Sequence, residues 1–222
     1  MSPKKSPDLT AQERADGTPG MLRGQGFGRF LARLFTRCEL VGLDNVPADG
    51  PVLIAANHSH IFDGPLLFGQ LPRPVGFFVK AEVFVGPLGP FLRRIGQIPV
   101  RRGIAERTPI IAALDTLAAG GVIAVFPEGT RGSGEVAAVE HGVAYLAVRS
   151  GAPVLPVACV GTSVIWRYRR TMRRPPVRVV FGAPFKVGST GRASRRAISD
   201  AAEQIRSELA DLVASAGTKG RS

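Results

Sequence analysis

Between residues 52 and 182, short apolar runs alternate with stretches of helical periodicity. The runs are Val52–Asn57, Val75–Lys80, Gln97–Arg101, Val122–Phe126, Pro153–Val160 and Val177–Gly182. Several are short and continuously apolar, as expected of strands covered on both faces by helices. Around them Gly64–Leu71, Pro87–Ile95, Pro109–Ala119, Val139–Ser150 and Arg192–Ala214 read as helices. The third has Thr108 as its N-cap, Pro109 at the first helical position and Gly120–Gly121 past its end. This alternation predicts an α/β fold: one domain with a mixed, largely parallel sheet flanked by helices. A chain of 222 residues that is 45% hydrophobic can fill one such core.

The ends read differently. Residues 1–20 are polar, with Pro and Gly, and read as a flexible tail. They lack the apolar core of a secretory signal, and no apolar run approaches a membrane-spanning length. Residues 21–38 read as a short amphipathic helix, residues 39–190 as the main domain, 191–216 as a C-terminal helix and 217–222 as a second tail. In the first helix Phe27, Phe30, Leu31, Leu34 and Phe35 form one apolar face, with Arg29, Arg33 and Arg37 opposite. That pattern fits a helix lying in an anionic lipid interface, and equally a helix packed on the domain.

The net charge of +12 predicts anionic partners without choosing among them. From Gly161 to Arg196 basic residues accumulate with no Asp or Glu, and Trp166 and Tyr168 lie among them. The stretch suits phospholipid headgroups or another phosphorylated ligand. Basic residues with aromatics also fit nucleic acid, but no nucleic-acid motif accompanies them and no such partner is expected. Cys38 and Cys159 have neither disulfide-framework nor zinc-site spacing, and they read as small buried apolar groups in a reducing compartment. No metal site is expected, because the two neighbouring histidines lack a third ligand at recognisable spacing.

Chemistry concentrates at Asn57-His58-Ser59-His60-Ile61-Phe62-Asp63. His58 directly follows an apolar run, and Asp63 precedes Gly-Pro, which suits the start of a helix. On one straight helix the two side chains would diverge by roughly 140°. Across a strand–loop–helix turn they can converge at the carboxyl end of the sheet. Asp63 would then hold one tautomer of His58 and leave Nε2 free to take a proton from a hydroxyl. A plainer reading makes Asp63 only a helix cap. A second segment, Phe126-Pro127-Glu128-Gly129-Thr130-Arg131, gathers backbone N–H groups, a hydroxyl, a carboxylate and a guanidinium after a strand. Arg131 can grip a phosphate bidentately there. In Gly96–Gly103, Pro99 marks an edge strand or bulge, and Arg101 and Arg102 point to opposite sides. Lys80 ends a strand and can add a point charge for phosphate.

In this order the segments resemble the glycerolipid (1-acyl-glycerol-3-phosphate, or lysophospholipid) acyltransferase family. Asn57, His58 and Asp63 match its Asn-His-x4-Asp block, and Gly96, Ile98 and Arg102 its Gly-x-Ile-x-x-x-Arg block. Phe126 to Arg131 match Phe-Pro-Glu-Gly-Thr-Arg throughout, and Leu155-Pro156-Val157 match the last block. Lys80 and Glu82 match a Lys-x-Glu element, and the likeness covers about residues 39–187. Two positions depart from the pattern. His60 stands where the family usually has Ser, which makes it a rival base, and Gly132–Gly142 lacks the basic residues often found there.

The resemblance implies an acyl transfer from acyl-CoA or acyl-carrier protein, as co-substrate, to the free hydroxyl of lysophosphatidate. His58 would be the general base and Asp63 its partner. Lys80, Arg102, Glu128, Gly129, Thr130 and Arg131 would hold the acceptor. No cofactor is implied. The protein is expected to be peripheral on the cytoplasmic face of the cell membrane, bound to anionic lipids. The alternatives are another lysophospholipid or lipid acceptor, or a lipid-binding protein of the same fold without catalysis.

Overall fold

The computed structural model describes residues 8–101, 106–127, 135–165, 174–188 and 193–218. The strands are β1 (Arg37–Val41), β2 (Val52–Ala56), β3 (Val75–Lys80), β4 (Ile98–Val100), β5 (Val122–Val125), β6 (Val154–Val160) and β7 (Pro176–Phe181). The helices are α1 (Ala11–Asp16), α2 (Pro19–Phe35), α3 (Asp63–Gln70), α4 (Leu88–Arg94), α5 (Arg107–Ala118), α6 (Glu135–Ser150) and α7 (Arg195–Thr218). The described strands form a seven-stranded sheet in the order β1-β7-β6-β2-β5-β3-β4. Neighbours run parallel except β6 and β7, which are antiparallel. This is the mixed, largely parallel α/β sheet that the apolar runs predict.

The continuous apolarity of the central strands follows from their two covered faces. Val52, Ile54 and Ala56 of β2 join a core with Leu67, Leu71, Phe77 and Phe181. Leu53 and Ala55 point the other way, into a core with Leu117, Leu146 and Ile205. Strand β2 sits between β5 and β6, both parallel to it, so its carboxyl end opens at the middle of the sheet's edge. Pro99 falls on β4, an edge strand, as its missing N–H requires. Cys159 is buried in β6 and Cys38 is half-buried in β1. Burial and the nearby Glu39 charge push the Cys38 thiol up to about 11.

The N-terminal expectations need correction. Residues 11–16, 19 and 20 are helical, not tail. Thr10 and Glu13 form a capping box at the start of α1, and these bonds hold the Glu13 carboxyl below its usual range. Thr18 caps α2 with Pro19 in its first turn. The amphipathic helix ends at Phe35, and Arg37 and Cys38 already belong to β1. Helix α5 begins two residues before the expected Pro109, with Glu106 as N-cap. Proline is tolerated there because first-turn N–H groups have no intrahelical acceptor. The C-terminal helix runs on to Thr218, so residues 217 and 218 are not tail.

Helix α2 packs on the domain with its aromatic stripe turned outward. Met21, Gly24, Gln25 and Ala32 are buried, whereas Phe27, Phe30, Leu34 and Phe35 are between 45% and 59% exposed. Gln25 Nε2 donates to the carbonyls of Phe68 and Arg73, and Arg29 Nε donates to that of Gly69. Polar side chains of α2 thus serve carbonyls at the C-terminal end of α3, which lack acceptor roles within their own helix. The two helices cross at Gly28 and Gly69. A Cβ on Gly69 would stand 2.6 Å from the Gly28 carbonyl carbon and 2.7 Å from the Arg29 nitrogen.

Alanine at position 69 would gain up to about 1 kcal/mol of helix propensity. Overpacking against backbone costs about 1–3 kcal/mol and should win. Gly69→Ala is therefore expected to lower the urea midpoint. Gly26→Ala, with open space around its Cβ, should raise it. Equal shifts in the same direction would contradict the tight crossing.

Candidate active site

His58 lies two residues beyond β2, held by the residue before it. The Asn57 side chain makes a reciprocal pair with the backbone of Cys159. The Cys159 N–H donates to Oδ1 at 2.7 Å, and Nδ2 donates to the Cys159 carbonyl at 3.1 Å. This amide pair continues the β2–β6 ladder one step past its last backbone rung and delivers His58 at a fixed point. The imidazole is 33% exposed.

Asp63 is the first residue of α3 and is fully buried at 0%. Its Oδ2 lies 3.3 Å from His58 Nδ1 and also accepts the His60 backbone N–H at 2.6 Å. The Asp63 N–H in turn donates to the His60 carbonyl at 3.0 Å. The four-residue spacing has a local cause here. The carboxylate closes the turn that brings strand and helix together, and the same oxygen faces the imidazole. Phe62, not Asp63, occupies the N-cap position, yet a negative charge in the first turn still meets the favourable end of the helix dipole. Among the described residues, Asp63 Oδ1 has no hydrogen-bond partner.

The His58 ring lies against Phe126, with centroids 4.4 Å apart and planes at 28°. Phe126 directly follows β5, whose register pairs Ala55 with Val125. Phe77 also stacks against Phe126, centroids 5.7 Å apart. His60 packs its ring near Phe62, centroids 5.2 Å apart, and its backbone rather than its imidazole meets Asp63. The rival base is thus not the histidine that faces the carboxylate.

Lys80 ends β3, exposed, and is registered against Val100 of β4, which leads to Arg101. Strands β2 and β3 are separated by β5, two strand spacings or about 10 Å. Lys80 therefore sits on the same sheet edge as His58, two strands away. Arg102, Glu128, Gly129, Thr130 and Arg131 lie outside the described residues. Gly96 of the second motif has φ +81°, and a Cβ there would stand 2.7 Å from Met21 Cε. Leu155 and Val157 are core residues. Two contacts of the site had no sequence signal of their own. Asn57 and Phe126 were visible as motif letters, but nothing in one sequence says that one clamps β6 and the other faces the imidazole.

The fold is thus a mostly parallel α/β sheet with a His–carboxylate pair at its carboxyl edge. A family model described as "Acyltransferase" matches residues 37–160. The chain belongs to the acyltransferase family, in its 1-acyl-sn-glycerol-3-phosphate acyltransferase group. It is 30% identical to 1-acyl-sn-glycerol-3-phosphate acyltransferase of Bacillus subtilis over 143 residues, covering 64% of this chain and 70% of that one. A chloroplastic 1-acyl-sn-glycerol-3-phosphate acyltransferase of Brassica napus is 28% identical over 153 residues, 63% of this chain and 44% of that one. The chain thus spans less than half the length of this plant relative. The crystal structure of the 1-acyl-sn-glycerophosphate acyltransferase from Thermotoga maritima superposes with a TM-score of 0.63 at 26% identity, over 86% of this chain and 79% of that chain.

The loop geometry makes a structural prediction. Asp63→Asn keeps an oxygen that accepts the His60 N–H, whereas Asp63→Ala leaves that donor unmet at about 1–3 kcal/mol. Urea denaturation should rank alanine as the less stable variant. The reverse order would mean that the His60 bond does not hold the turn.

Proposed function

We propose that this enzyme transfers a fatty acyl chain from acyl-CoA or acyl-carrier protein to the free hydroxyl of lysophosphatidate, giving phosphatidate. The observation that carries the reading is the half-buried His58 with Nδ1 toward the buried Asp63 carboxylate. In that orientation Nε2 is the nitrogen left for substrate. It takes the hydroxyl proton as the oxygen attacks the thioester carbonyl. The tetrahedral intermediate then collapses, the C–S bond breaks, and the imidazolium returns its proton to the leaving thiolate. Asp63 stabilises the imidazolium between the two steps. No serine or cysteine nucleophile is required, since the acceptor supplies its own hydroxyl. Lys80, with Arg102, Glu128, Gly129, Thr130 and Arg131, is assigned to the acceptor and its phosphate. Holding the hydroxyl beside the base is the entropic part of catalysis.

The acceptor is a lipid, so the enzyme must work at a membrane surface. No described helix is long and apolar enough to cross a membrane. The exposed Phe27, Phe30, Leu34 and Phe35 support an interfacial role for α2, with Arg23 and Arg33 exposed on the same helix for anionic headgroups. Ile61, 72% exposed in the loop between His58 and Asp63, supports a site mouth close to that surface. The assigned location is peripheral, on the cytoplasmic face.

Thiol release from acyl-CoA, with and without lysophosphatidate, tests the reaction. Release should depend on the acceptor and fall by about 10²–10⁴-fold in His58→Ala. Undiminished release in the variant would remove His58 as base. Release with another lysophospholipid alone would change the acceptor, and none with any donor or acceptor would favour lipid binding without catalysis. Replacing Phe30 and Phe35 by Ser should weaken binding to anionic vesicles by roughly tenfold for each ring lost. Unchanged flotation would end the interfacial role of α2.

A further inference from the structure

We propose that Phe126 is a positioning residue for His58, an aromatic platform that fixes the plane of the imidazole. The inference rests on the reading of His58 as general base. Asp63 approaches the imidazole at one edge atom, 3.3 Å from Nδ1, and its Oδ2 is shared with the His60 N–H. A single edge contact of that length restrains rotation of the ring about its Cβ–Cγ bond only loosely. A face contact at right angles to it removes that freedom. Phe126 supplies the face, at 4.4 Å and 28°. With both contacts in place, the direction of Nε2 is set by the protein before substrate arrives.

The platform is itself anchored. Phe77, buried in β3, stacks against Phe126 at 5.7 Å and 24°. The Phe77 N–H donates to Gln97 Oε1, a buried amide whose Nε2 donates to the Ile95 carbonyl. On another side Gly64, beside Asp63, borders the ring: a Cβ there would stand 3.8 Å from Phe126 Cε2, an ordinary contact. A line of contacts runs from the core through Phe77 and Phe126 to the imidazole. The strand register that pairs Ala55 with Val125 puts the two rings on adjacent strand ends, so their meeting follows from the sheet.

The electrostatics add to the geometry. The face of an aromatic ring carries negative charge density, which attracts a cation more than a neutral ring. The contact therefore strengthens as His58 takes the proton, and an interaction stronger in the transition state than in the ground state raises turnover. A leucine of similar bulk would fill the space without offering the face. A tyrosine would keep it.

The test uses the full chain in its wild-type form and as Phe126→Leu, Phe126→Tyr and His58→Ala, assayed by thiol release from acyl-CoA with lysophosphatidate. Phe126→Leu should lower kcat by about tenfold with both KM values within about twofold of wild type. Phe126→Tyr should restore kcat to within about threefold. Proton NMR gives a readout independent of turnover. With three histidines in the chain, the His58 Cε1 proton is assigned by its loss in His58→Ala. Its upfield ring-current shift should vanish in Phe126→Leu and persist in Phe126→Tyr. Should Phe126→Leu melt as an unfolded chain, Phe126→Met replaces it in both measurements. Wild-type kcat in Phe126→Leu, equal losses in leucine and tyrosine variants, or an unmoved Cε1 resonance would overturn the inference. An inactive His58→Ala beside a fully active Phe126→Leu would sink this inference alone. A fully active His58→Ala would sink the general-base reading beneath it.

Discussion

A buried carboxylate is the group around which the rest of the site is arranged. Removing a charge from water is costly unless dipoles or counter-charges replace the lost hydration. Asp63, fully buried, receives the His60 N–H at 2.6 Å, sits in the first turn of α3 and faces His58. The first two interactions make the negative charge tolerable. The third puts it where an imidazolium would benefit. The field of Asp63 also reaches the strand below. Burial first, and this charge second, raise the pKa of the Cys159 thiol and keep it inert beneath the site. One carboxylate thus closes the turn, faces the imidazole and adds to the burial that raises a neighbouring thiol.

How much of this was legible in the sequence depends on which physical signal each element carries. Strands β2, β5 and β6 were legible because both faces are buried, which forces continuous apolar runs. Edge strand β1 was not. In Arg37–Val41 exposed and half-buried residues alternate, and the run sits directly after a helix pattern. Helix α1 and the start of α2 were hidden by polar composition, although Thr10-x-x-Glu13 and Thr18-Pro19 are helix-start signals. His58 and Asp63 were legible as a spacing that only a strand–loop–helix turn could use. The plainer reading of Asp63 as a cap was close as well: it orders the turn by accepting from His60, upstream of the helix, instead of from the helix itself.

Periodicity showed that α2 has an apolar stripe and left open which face meets the domain. Gly24, Gly28 and Gly69 decided it. Two helices cross closely where side chains are smallest, and the glycine face met α3 while the phenylalanines turned outward. Likewise, single letters in a motif do not reveal contacts across strands. Phe126 and His58 are far apart in sequence and meet because β2 and β5 are parallel neighbours in a particular register.

Helix α3 joins the two halves of the proposed function. Its first residue is Asp63. Near its other end the carbonyls of Phe68 and Gly69 are gripped by Gln25 and Arg29 of α2, and Arg73 beyond it is gripped by Gln25. Eight helical residues span about 12 Å. The helix is therefore a rigid strut that joins the carboxylate beside His58 to α2, which packs along it from Pro65 to Gly69 and carries the exposed aromatic stripe. Both ends are fixed by hydrogen bonds, so α2 cannot shift along α3 without leaving buried carbonyls unpaired. If α2 rests in a lipid surface, the depth of His58 relative to that surface is set by this strut rather than by a flexible tether. For a lipid whose reactive hydroxyl lies a fixed distance from its acyl chain, a fixed height of the base is what positioning requires.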